Sequence, residues 1–257
     1  MGLIQGQVAI VTGAATEIAQ GIARRFAREG ATVILVDRDG AAAKQAARGM
    51  TGAEAHGADV SDPAAAKSLV EAVATAHGRV DILVNAAHPA IRWERFDDKP
   101  LTDFTTALTD VVAGALAMMK AVRPVMTKAG GGRIANVGSI YGASAFEGVT
   151  DAVTTDGALL GLTRAIGVEW AKDNILVNFL QPGLPDIALF NDYRAKRDIG
   201  YLIENSAMQR LADPVEDIGG AAMFLVSDEA CFIVGHKVFA DGGQHLTAAA
   251  FEPGAER

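Results

Sequence analysis

The chain has 257 residues, of which 50% are hydrophobic and 21% charged, with a mean hydropathy of +0.20. This length suits a single α/β domain with a large core. The net charge of −8 argues against nucleic-acid partners, because phosphate backbones are bound by clustered Lys and Arg. The single cysteine, Cys231, excludes an internal disulfide and a cysteine-cluster metal site, and its apolar neighbours predict a core position.

Apolar runs of strand length alternate with helical stretches along the whole chain. The predicted strands are Val8–Val11, Thr32–Val36, Ile82–Val84, Arg133–Val137, Leu176–Leu180 and Lys237–Ala240. The predicted helices are Ile18–Glu29, Ala41–Arg48, Pro63–His77, Thr102–Lys128, Ala152–Lys172 and Pro214–Leu225. The alternation predicts one α/β domain over residues 1–257, a doubly wound parallel sheet with helices on both faces. A polar segment near 186–208 interrupts the rhythm and is predicted to form a small lid over the strand ends.

Two predicted helices carry more apolar surface than one buried face requires. Val111–Val125 and Ala152–Trp170 are apolar around much of their circumference. The pattern favours helix pairing across a subunit interface, with deep packing inside one domain as the alternative. No apolar run approaches the ~18 residues of a membrane span, and the N-terminus lacks a signal-peptide pattern. We therefore expect a cytoplasmic protein without a membrane partner.

Seven segments in chain order carry a family resemblance. They are VAIVTGAA at 8–15, VILVDRD at 33–39, ADVSD at 58–62, DILVNAA at 81–87, GGGRIANVGS at 130–139, ILVNFLQPG at 175–183 and VFADGG at 238–243. Together they resemble the short-chain dehydrogenase/reductase family over about residues 4–246. The resemblance implies a Rossmann-like fold and NAD(P) binding at the first βα turn.

The cofactor-binding residues that this resemblance implies are Gly13, Asp37, Asp59, Val60 and Asn85. Asp37 would either accept the ribose hydroxyls and favour NAD over NADP, or be a carboxylate that simply ends a strand. The turn that should hold the pyrophosphate departs from the family pattern, because Glu17 and Ala19 replace two of its glycines. A like-charge pair ~5 Å apart costs about 3 kcal/mol at an effective dielectric of ~20. Glu17 therefore predicts weakened dinucleotide binding; the alternative is that its side chain turns into solvent and the turn widens.

Two further departures lie toward the nicotinamide end of the implied site. His88 replaces a family glycine near the nicotinamide ribose, as either a general base or a space-filling residue. Pro185 removes a backbone N–H where the family backbone holds the carboxamide. Both departures predict a degenerate cofactor site.

The family's chemistry uses a Ser, a Tyr, a Lys four residues later and an Asn on the preceding long helix. The Tyr passes a proton to or from the substrate oxygen, while the Lys holds the ribose and lowers the Tyr pKa. Ser139 is retained, but the register places Ala152 at the Tyr, Asp156 at the Lys and Val111 at the Asn. Three of the four catalytic functions are therefore predicted to be absent.

Other side chains are weaker candidates for the lost proton donor. Tyr141 follows Ser139 closely, but without a lysine partner its pKa should stay near ~10. Tyr193 and Arg197 form a Y-x-x-x-R pair within the predicted lid. Asp110, beside Val111, is interpreted as a helix-surface acid.

The retained fold and lost chemistry resemble the inactive subunit of heterotetrameric hydroxyacyl-CoA dehydrogenases, such as those acting on 2-[hydroxy(phenyl)methyl]succinyl-CoA. The chain is predicted to bind no cofactor, or NAD weakly, and no metal. It would pair through helices 102–128 and 152–172 with an active, NAD-holding short-chain dehydrogenase subunit as a hetero-oligomer.

Three alternatives stay open. One is a rewired enzyme of this fold, a dehydratase, isomerase or atypical NAD-dependent oxidoreductase using Ser139 and Tyr141. Another is a nucleotide-sensing protein. The last is an ordinary NAD-linked dehydrogenase, which would need a Y-x-x-x-K motif that the chain lacks.

Overall fold

The computed structural model describes residues 2–88, 92–139, 141–142, 147–185, 203 and 206–246. The strands are β1 Val8–Thr12, β2 Thr32–Asp37, β3 Ala53–Gly57, β4 Ile82–Asn85, β5 Gly132–Val137, β6 Ile175–Pro182 and β7 Lys237–Ala240. The helices are α1 Glu17–Arg28, α2 Gly40–Ala47, α3 Pro63–His77, α4 Leu101–Ala107, α5 Gly114–Ala129, α6 Thr150–Trp170 and α7 Gly219–Val226. The strands form one seven-stranded parallel sheet in the order β3-β2-β1-β4-β5-β6-β7. The predicted doubly wound α/β architecture is confirmed.

Each face of the sheet carries its own hydrophobic core. Val11 and Val33 pack with α1 and α7 on one face, whereas Ile10 and Ile34 pack with α3, α5 and α6 on the other. All residues of β1, β4 and β6 are buried, as a sheet covered on both faces requires. The chain reverses its winding direction between β1 and β4, which leaves a crevice at their carboxyl ends.

Two features of the secondary structure differ from the sequence prediction. The prediction missed β3, because its sequence AEAHG is polar at alternate positions and the strand lies half-exposed at the sheet edge. The long predicted helix 102–128 is interrupted by a π-helical segment, Leu108–Ala113, between α4 and α5. A second π-helical segment, Pro214–Ile218, precedes α7.

The expected core position of Cys231 is wrong. Its side chain is exposed, because it follows the short 3₁₀ turn Asp228–Ala230 at the surface. The lid predicted near 186–208 lies largely outside the described residues, as do Tyr193 and Arg197.

Among the residues that the structure describes, one helical run is apolar enough to cross a membrane by length and composition, contrary to the expectation that no stretch approaches that length. It spans Leu101–Ala129, with a window hydropathy of 1.3, and 44% of that window is buried inside the fold. Met118, Met119 and Val122 are completely buried in the core beneath the sheet. This packing accounts for the apolar composition of the run.

Candidate functional site

The crevice at the β1–β4 reversal contains a cavity of about 380 Å³. Its lining includes four predicted cofactor-site residues and one predicted departure: Gly13, Asp37, Asp59, Val60 and His88. Gly13 has a φ of +74°, and a Cβ there would lie 2.5 Å from the carbonyl oxygen of Ala86. Only glycine brings the β1 end this close to the β4 end without strain.

The turn between β1 and α1 uses many of its own backbone donors. The N–H groups of Ala14, Ala15 and Thr16 donate to the Val36 carbonyl, the Asp37 carboxylate and the Gly13 carbonyl. The N–H of Ala19 donates to the Thr16 hydroxyl at 3.3 Å, which caps α1. These four groups are therefore already occupied, at the place where a dinucleotide would need donors for its pyrophosphate.

Asp37 ends β2 and faces the cavity. Its Oδ2 accepts from the Ala15 N–H at 2.9 Å and its Oδ1 from the Asp39 N–H at 3.0 Å. An ionised carboxylate has about four lone-pair sites, so Asp37 retains capacity for the hydroxyls of a ribose.

Arg38 and Asp110 close one side of the cavity. The Arg38 guanidinium lies 2.6 Å from Asp110 and 3.8 Å from Asp59. The hydrogen bond to Asp110 raises the pKa of Arg38, and hydrogen bonds from the Ser61 hydroxyl and N–H lower the pKa of Asp59. The interpretation of Asp110 as a surface acid is wrong, because its side chain is only 13% exposed and lines the cavity. The π-helical segment carries it there.

Asn85 is buried and turned toward other buried polar groups. Its Nδ2 donates to Asn136 Oδ1 at 2.8 Å, and Asn136 Nδ2 donates to Thr163 Oγ1 at 2.9 Å. This chain of amides ties β4 to β5 and to α6. Asn85 is not part of the cavity lining.

At the other end of the crevice, Asp156 of α6 meets Ser139 at the end of β5. The Ser139 N–H donates to both carboxylate oxygens, at 2.9 and 3.0 Å, and its hydroxyl lies 3.3 Å from Asp156 Oδ2. Gln181 Nε2 donates to the same oxygen at 3.2 Å and also to the Ser139 carbonyl. The side chains of Asp156, Ser139 and Gln181 are all buried. The Asp156 carboxylate is therefore held in place by hydrogen bonds from the strand ends.

The environment of Asp156 makes its ionisation unfavourable. Burial raises the pKa of Asp156, and the His88 charge and the hydrogen bonds from Ser139 and Gln181 oppose that rise. Gly138 and Gly142 leave the space for the carboxylate, since a Cβ at Gly142 would lie 1.7 Å from its Oδ2.

The chain is similar in sequence and fold to proteins of known family. The family model described as enoyl-(acyl carrier protein) reductase matches residues 13–245. Oxidoreductase UcpA of Escherichia coli K12 is 34% identical, over 96% of this chain and 97% of its own. The chain belongs to the short-chain dehydrogenase/reductase family.

Two other relatives carry more specific names. D-threitol dehydrogenase of Mycolicibacterium smegmatis is 32% identical, over 93% of each chain. The structure of 3-ketoacyl-(acyl-carrier-protein) reductase from Brucella melitensis complexed with NADH has a TM-score of 0.85 and 30% identity, and covers 94% of this chain and 99% of its own. Known relatives of this chain are thus oxidoreductases, and a structural neighbour binds NADH.

Small or apolar side chains occupy two positions that are catalytic in the short-chain dehydrogenase/reductase family. These are the positions of the family's Tyr and Asn. Ala152 in the first turn of α6 and Val111 in the π-helical segment are both buried. Neither side chain can hold or move a proton.

Tyr141 and His88 are two further described side chains that can transfer a proton. Tyr141 packs edge-on against Trp93, with ring centroids 5.3 Å apart. His88 Nε2 lies 2.9 Å from the Val137 carbonyl. The hydrogen bonds place Ser139 against Asp156 and His88 against a carbonyl, which is not the serine–histidine contact of a nucleophilic triad.

Pro185 follows the turn after β6 and forms an isolated bridge with Ala212. The Ala212 N–H donates to the Leu184 carbonyl at 2.9 Å, whereas Pro185 has no N–H of its own. A nicotinamide carboxamide at this turn would therefore have one backbone N–H donor fewer than in a relative without this proline.

The two ends of the crevice differ in their fit to a nicotinamide dinucleotide. The adenosine end has a cavity with a carboxylate, Asp37, placed for ribose hydroxyls. The opposite end has a buried carboxylate, Asp156, where the family's ammonium would hold the second ribose. The residues present fit the adenosine half of NAD and not its nicotinamide half. The described residues also contain no group of His, Cys, Asp and Glu that could hold a metal ion.

Sequence reasoning missed Arg38 and Gln181. Arg38 follows the Asp37 that was identified, but its partner, Asp110, is 72 positions away. Gln181 directly precedes the Pro182-Gly183 turn, and nothing in its local sequence indicates that it bridges Ser139 and Asp156.

Proposed function

We propose that this chain is a non-catalytic short-chain dehydrogenase subunit. It pairs with an active, NAD-dependent member of the family that acts on a hydroxyacyl substrate of the coenzyme A type. The chain supplies a folded partner surface, and the active subunit supplies the cofactor and the hydride transfer.

The observation that carries the proposal is the contact between Asp156 and Ser139. A carboxylate cannot replace an ammonium as a ribose clamp or as the group that lowers a tyrosine pKa. The Asp156 carboxylate also accepts a hydrogen bond from the hydroxyl of Ser139 at 3.3 Å. Ser139 is the one retained member of the family's catalytic set. Ser139 is therefore held inside the protein rather than offered to a substrate oxygen.

The expected loss of rate is large. A positioned general acid contributes about 10²–10⁴-fold to a reaction, and Ala152 offers no acid at all. Loss of the Lys and Asn functions at Asp156 and Val111 removes the groups that would orient the cofactor and relay the proton. Together these changes leave hydride transfer without its machinery.

The outer faces of α5 and α6 support a pairing role. A groove of about 540 Å³ between α3 and α5 is lined mainly by apolar side chains, among them Val70, Leu116 and Val125. On α6, Val168 is 78% exposed, and a Cβ at Gly157 or Gly161 would meet nothing within 4 Å. Small residues let a second helix approach closely, and exposed apolar faces of this kind are typical of interaction surfaces.

Co-expression with an active short-chain dehydrogenase from the same genome tests the pairing. The expected result is a mixed oligomer whose assembly is weakened by Gly161→Arg, a bulky charge in the centre of the α6 face. Glu147→Arg, at a side chain that is 74% exposed on a loop, is the control and should leave assembly unchanged. A stable homotetramer with NAD-linked turnover of its own would contradict the proposal.

One observation favours a second candidate, a rewired enzyme. Burial raises the pKa of Asp156 next to the hydroxyl of Ser139, and perturbed carboxyls of this kind occur at catalytic sites. In that case Asp156 would act as an acid or base without hydride transfer. Ser139→Ala and Asp156→Asn would then abolish a measurable dehydratase or isomerase activity. Unchanged rates in both variants would exclude this candidate.

A further inference from the structure

A second cavity, of about 570 Å³, lies beside α7 where β7 ends. Its walls come from the end of β7, the turn after it, the start of α7 with the π-helical segment before it, and the segment 206–212. It shares none of its described lining residues with the crevice cavity or with the groove between α3 and α5. The proposed function does not use this space.

The turn after β7 places a pair of side chains, Asp241 and His245, in the lining of this cavity. Asp241, whose side chain is 2% exposed, accepts the N–H groups of Gly243 and His245 at 3.0 and 2.9 Å. Its Oδ2 also lies 2.6 Å from His245 Nδ1. Gly242 and Gly243 have φ values of +58° and +81°, which glycine adopts without steric cost, so the chain can turn back onto Asp241. The backbone therefore fixes the pair.

The imidazole ring of His245 is oriented by two contacts. Phe239 stacks on its face, with ring centroids 3.7 Å apart and planes 12° from parallel, and Asp241 holds its Nδ1 edge. Among the described residues, no group makes a hydrogen bond with Nε2, the other ring nitrogen. A carboxylate only accepts, so in the neutral ring the proton lies on Nδ1 and Nε2 is an acceptor. A ligand with an O–H group satisfies that acceptor.

The charged side chains of the lining already have partners in the protein. Arg210 Nη2 lies 2.9 Å from Asp217 Oδ1, and Glu216 pairs with Arg28 at 2.6 Å. With Asp241 included, the lining contains three carboxylates and one guanidinium. A carboxylate or phosphate ligand would therefore meet repulsion, and a ligand ammonium would lose its hydration without gaining an unpaired counter-charge. These charges favour an uncharged ligand.

The rest of the lining is mainly apolar. Its larger apolar side chains are Leu184, Met208, Leu211, Phe239 and Leu246. Ligand cavities of roughly 300–1,000 Å³ typically combine such walls with a few polar groups that fix the orientation of the ligand. This cavity has the volume, the apolar walls and one oriented polar atom of such a site.

We infer that this cavity binds a small uncharged hydroxyl compound, an apolar alcohol or phenol, through a hydrogen bond from its O–H to His245 Nε2. Asp241 and Phe239 position the imidazole ring, and the apolar walls cover the body of the ligand. The inference goes beyond the proposed function and is independent of it, because α7 packs on the opposite face of the sheet from the pairing helices α5 and α6.

Fluorescence titration of the full chain with four naphthalene probes, at a mildly alkaline pH that keeps imidazole neutral, tests the inference. 2-Naphthol should bind about tenfold more tightly than 2-methoxynaphthalene, which lacks the O–H donor. The same margin should separate 2-naphthol from 2-naphthoate and 2-naphthylmethylammonium, because these two probes are charged. His245→Phe keeps a flat ring against Phe239 but removes the nitrogen, so it should lower the affinity for 2-naphthol to that for the ether.

Two further variants complete the experiment. His236→Phe, at an exposed histidine outside the cavity lining, is the matched control and should leave the preference for 2-naphthol unchanged. Ala221→Leu adds bulk to the cavity wall and should weaken 2-naphthol and its methyl ether alike, without any change at His245. Thermal unfolding curves check that each variant folds.

Four results would overturn the inference: equal affinity for 2-naphthol and its methyl ether, tighter binding of either charged probe, an unchanged preference in His245→Phe, or absence of 2-naphthol binding. None of them bears on the pairing proposal. A homotetramer with NAD-linked turnover would overturn the proposed function and leave the preference for 2-naphthol to be measured on its own.

Discussion

The carboxylate of Asp156 accepts the backbone N–H of Ser139 at 2.9 Å and faces its hydroxyl at 3.3 Å. This contact joins α6 to the end of β5 and closes the chemical end of the crevice. It ties the position that would hold a nicotinamide ribose in an active relative, Asp156, to the retained serine in an internal hydrogen-bond network.

The first prediction concerns the pH dependence of stability. Burial raises the pKa of Asp156 above its reference value of 3.8, so the folded state holds this proton more tightly than the unfolded state. The contribution of Asp156 to stability is therefore greatest below the unfolded pKa and falls as pH rises through the folded pKa. Asn at this position does not titrate, so Asp156→Asn escapes this loss. Between acid and neutral pH, the unfolding free energy of the variant should rise relative to that of the parent by about 1.4 kcal/mol for each unit by which the Asp156 pKa is raised.

Denaturant unfolding of parent and variant across this pH range measures the effect. The control is Asp228→Asn, at a side chain that is 95% exposed and lacks the burial that causes the shift. A difference between Asp156→Asn and parent that stays constant with pH would count against the assigned cause.

The second prediction concerns a buried ion pair beside the site. The Lys99 ammonium, with a fully buried side chain, lies 2.8 Å from Asp151 and donates to the carbonyls of Arg92 and Gly148. Lys99→Met leaves a buried carboxylate unpaired and should lower the unfolding free energy by about 3–5 kcal/mol. Chemical denaturation measures it.

Two further variants test the reason for that loss. Adding Asp151→Asn to Lys99→Met should recover part of the loss, because the unpaired charge disappears. The exposed helical pair Lys67–Glu71 provides the contrast: Lys67→Met should change stability by less than about 0.5 kcal/mol. Equal effects at both lysines would contradict the argument from burial.

The third prediction concerns the amide chain from Asn85 to Thr163. Thr163→Val leaves the buried Nδ2 of Asn136 with only the Met119 sulfur, at 3.9 Å, as an acceptor and should cost about 1–3 kcal/mol. Thr155 is also buried on α6, but its hydroxyl donates only to carbonyls of its own helix, at 3.1 and 2.9 Å. Thr155→Val should therefore cost clearly less in the same unfolding experiment, and the reverse order would refute the role given to Asn136.

The fourth prediction compares two glycines with nearly equal backbone angles. Gly13 and Gly78 have φ values of +74° and +75°, but a Cβ at Gly13 would lie 2.5 Å from the Ala86 carbonyl oxygen, whereas one at Gly78 meets nothing within 4 Å. Gly78→Ala should cost about 1 kcal/mol from backbone strain alone. Gly13→Ala should cost about 1–3 kcal/mol more, because the clash adds to that strain. Similar melting temperatures for the two variants would show that the β1–β4 approach is not tight.

Much of the fold was predictable from the sequence, because buried parallel strands such as β1 and β6 are continuous apolar runs with helical stretches between them. β3 was not, since an edge strand needs only one buried face and AEAHG shows little apolar signal. The helix α3 matched its prediction, from Pro63 to His77, because it begins after an Asp cap and ends at a left-handed glycine.

The candidate site was predictable only where local motifs define it. Gly13, Asp37 and Ser139 lie at or just after strand ends whose register the flanking motifs set. The pairing of Arg38 with Asp110 was hidden, because it depends on a π-helical segment that shifts the direction of one side chain. The contact between Asp156 and Ser139 depends on the space left by Gly142, which lies in the loop after β5 and not on the helix that carries Asp156.

The most direct test of the central claim is NADH consumption by the purified chain with a panel of ketones, aldehydes and 3-ketoacyl thioesters. The 3-ketoacyl-(acyl-carrier-protein) reductase from Brucella melitensis, whose structure was determined with NADH, serves as the positive control with a 3-ketoacyl thioester. We predict no consumption above the rate without protein, and no change on Ser139→Ala. Sustained NADH oxidation that Ser139→Ala abolishes would contradict the account, because it would mean that Ser139 reaches a substrate despite its contact with Asp156.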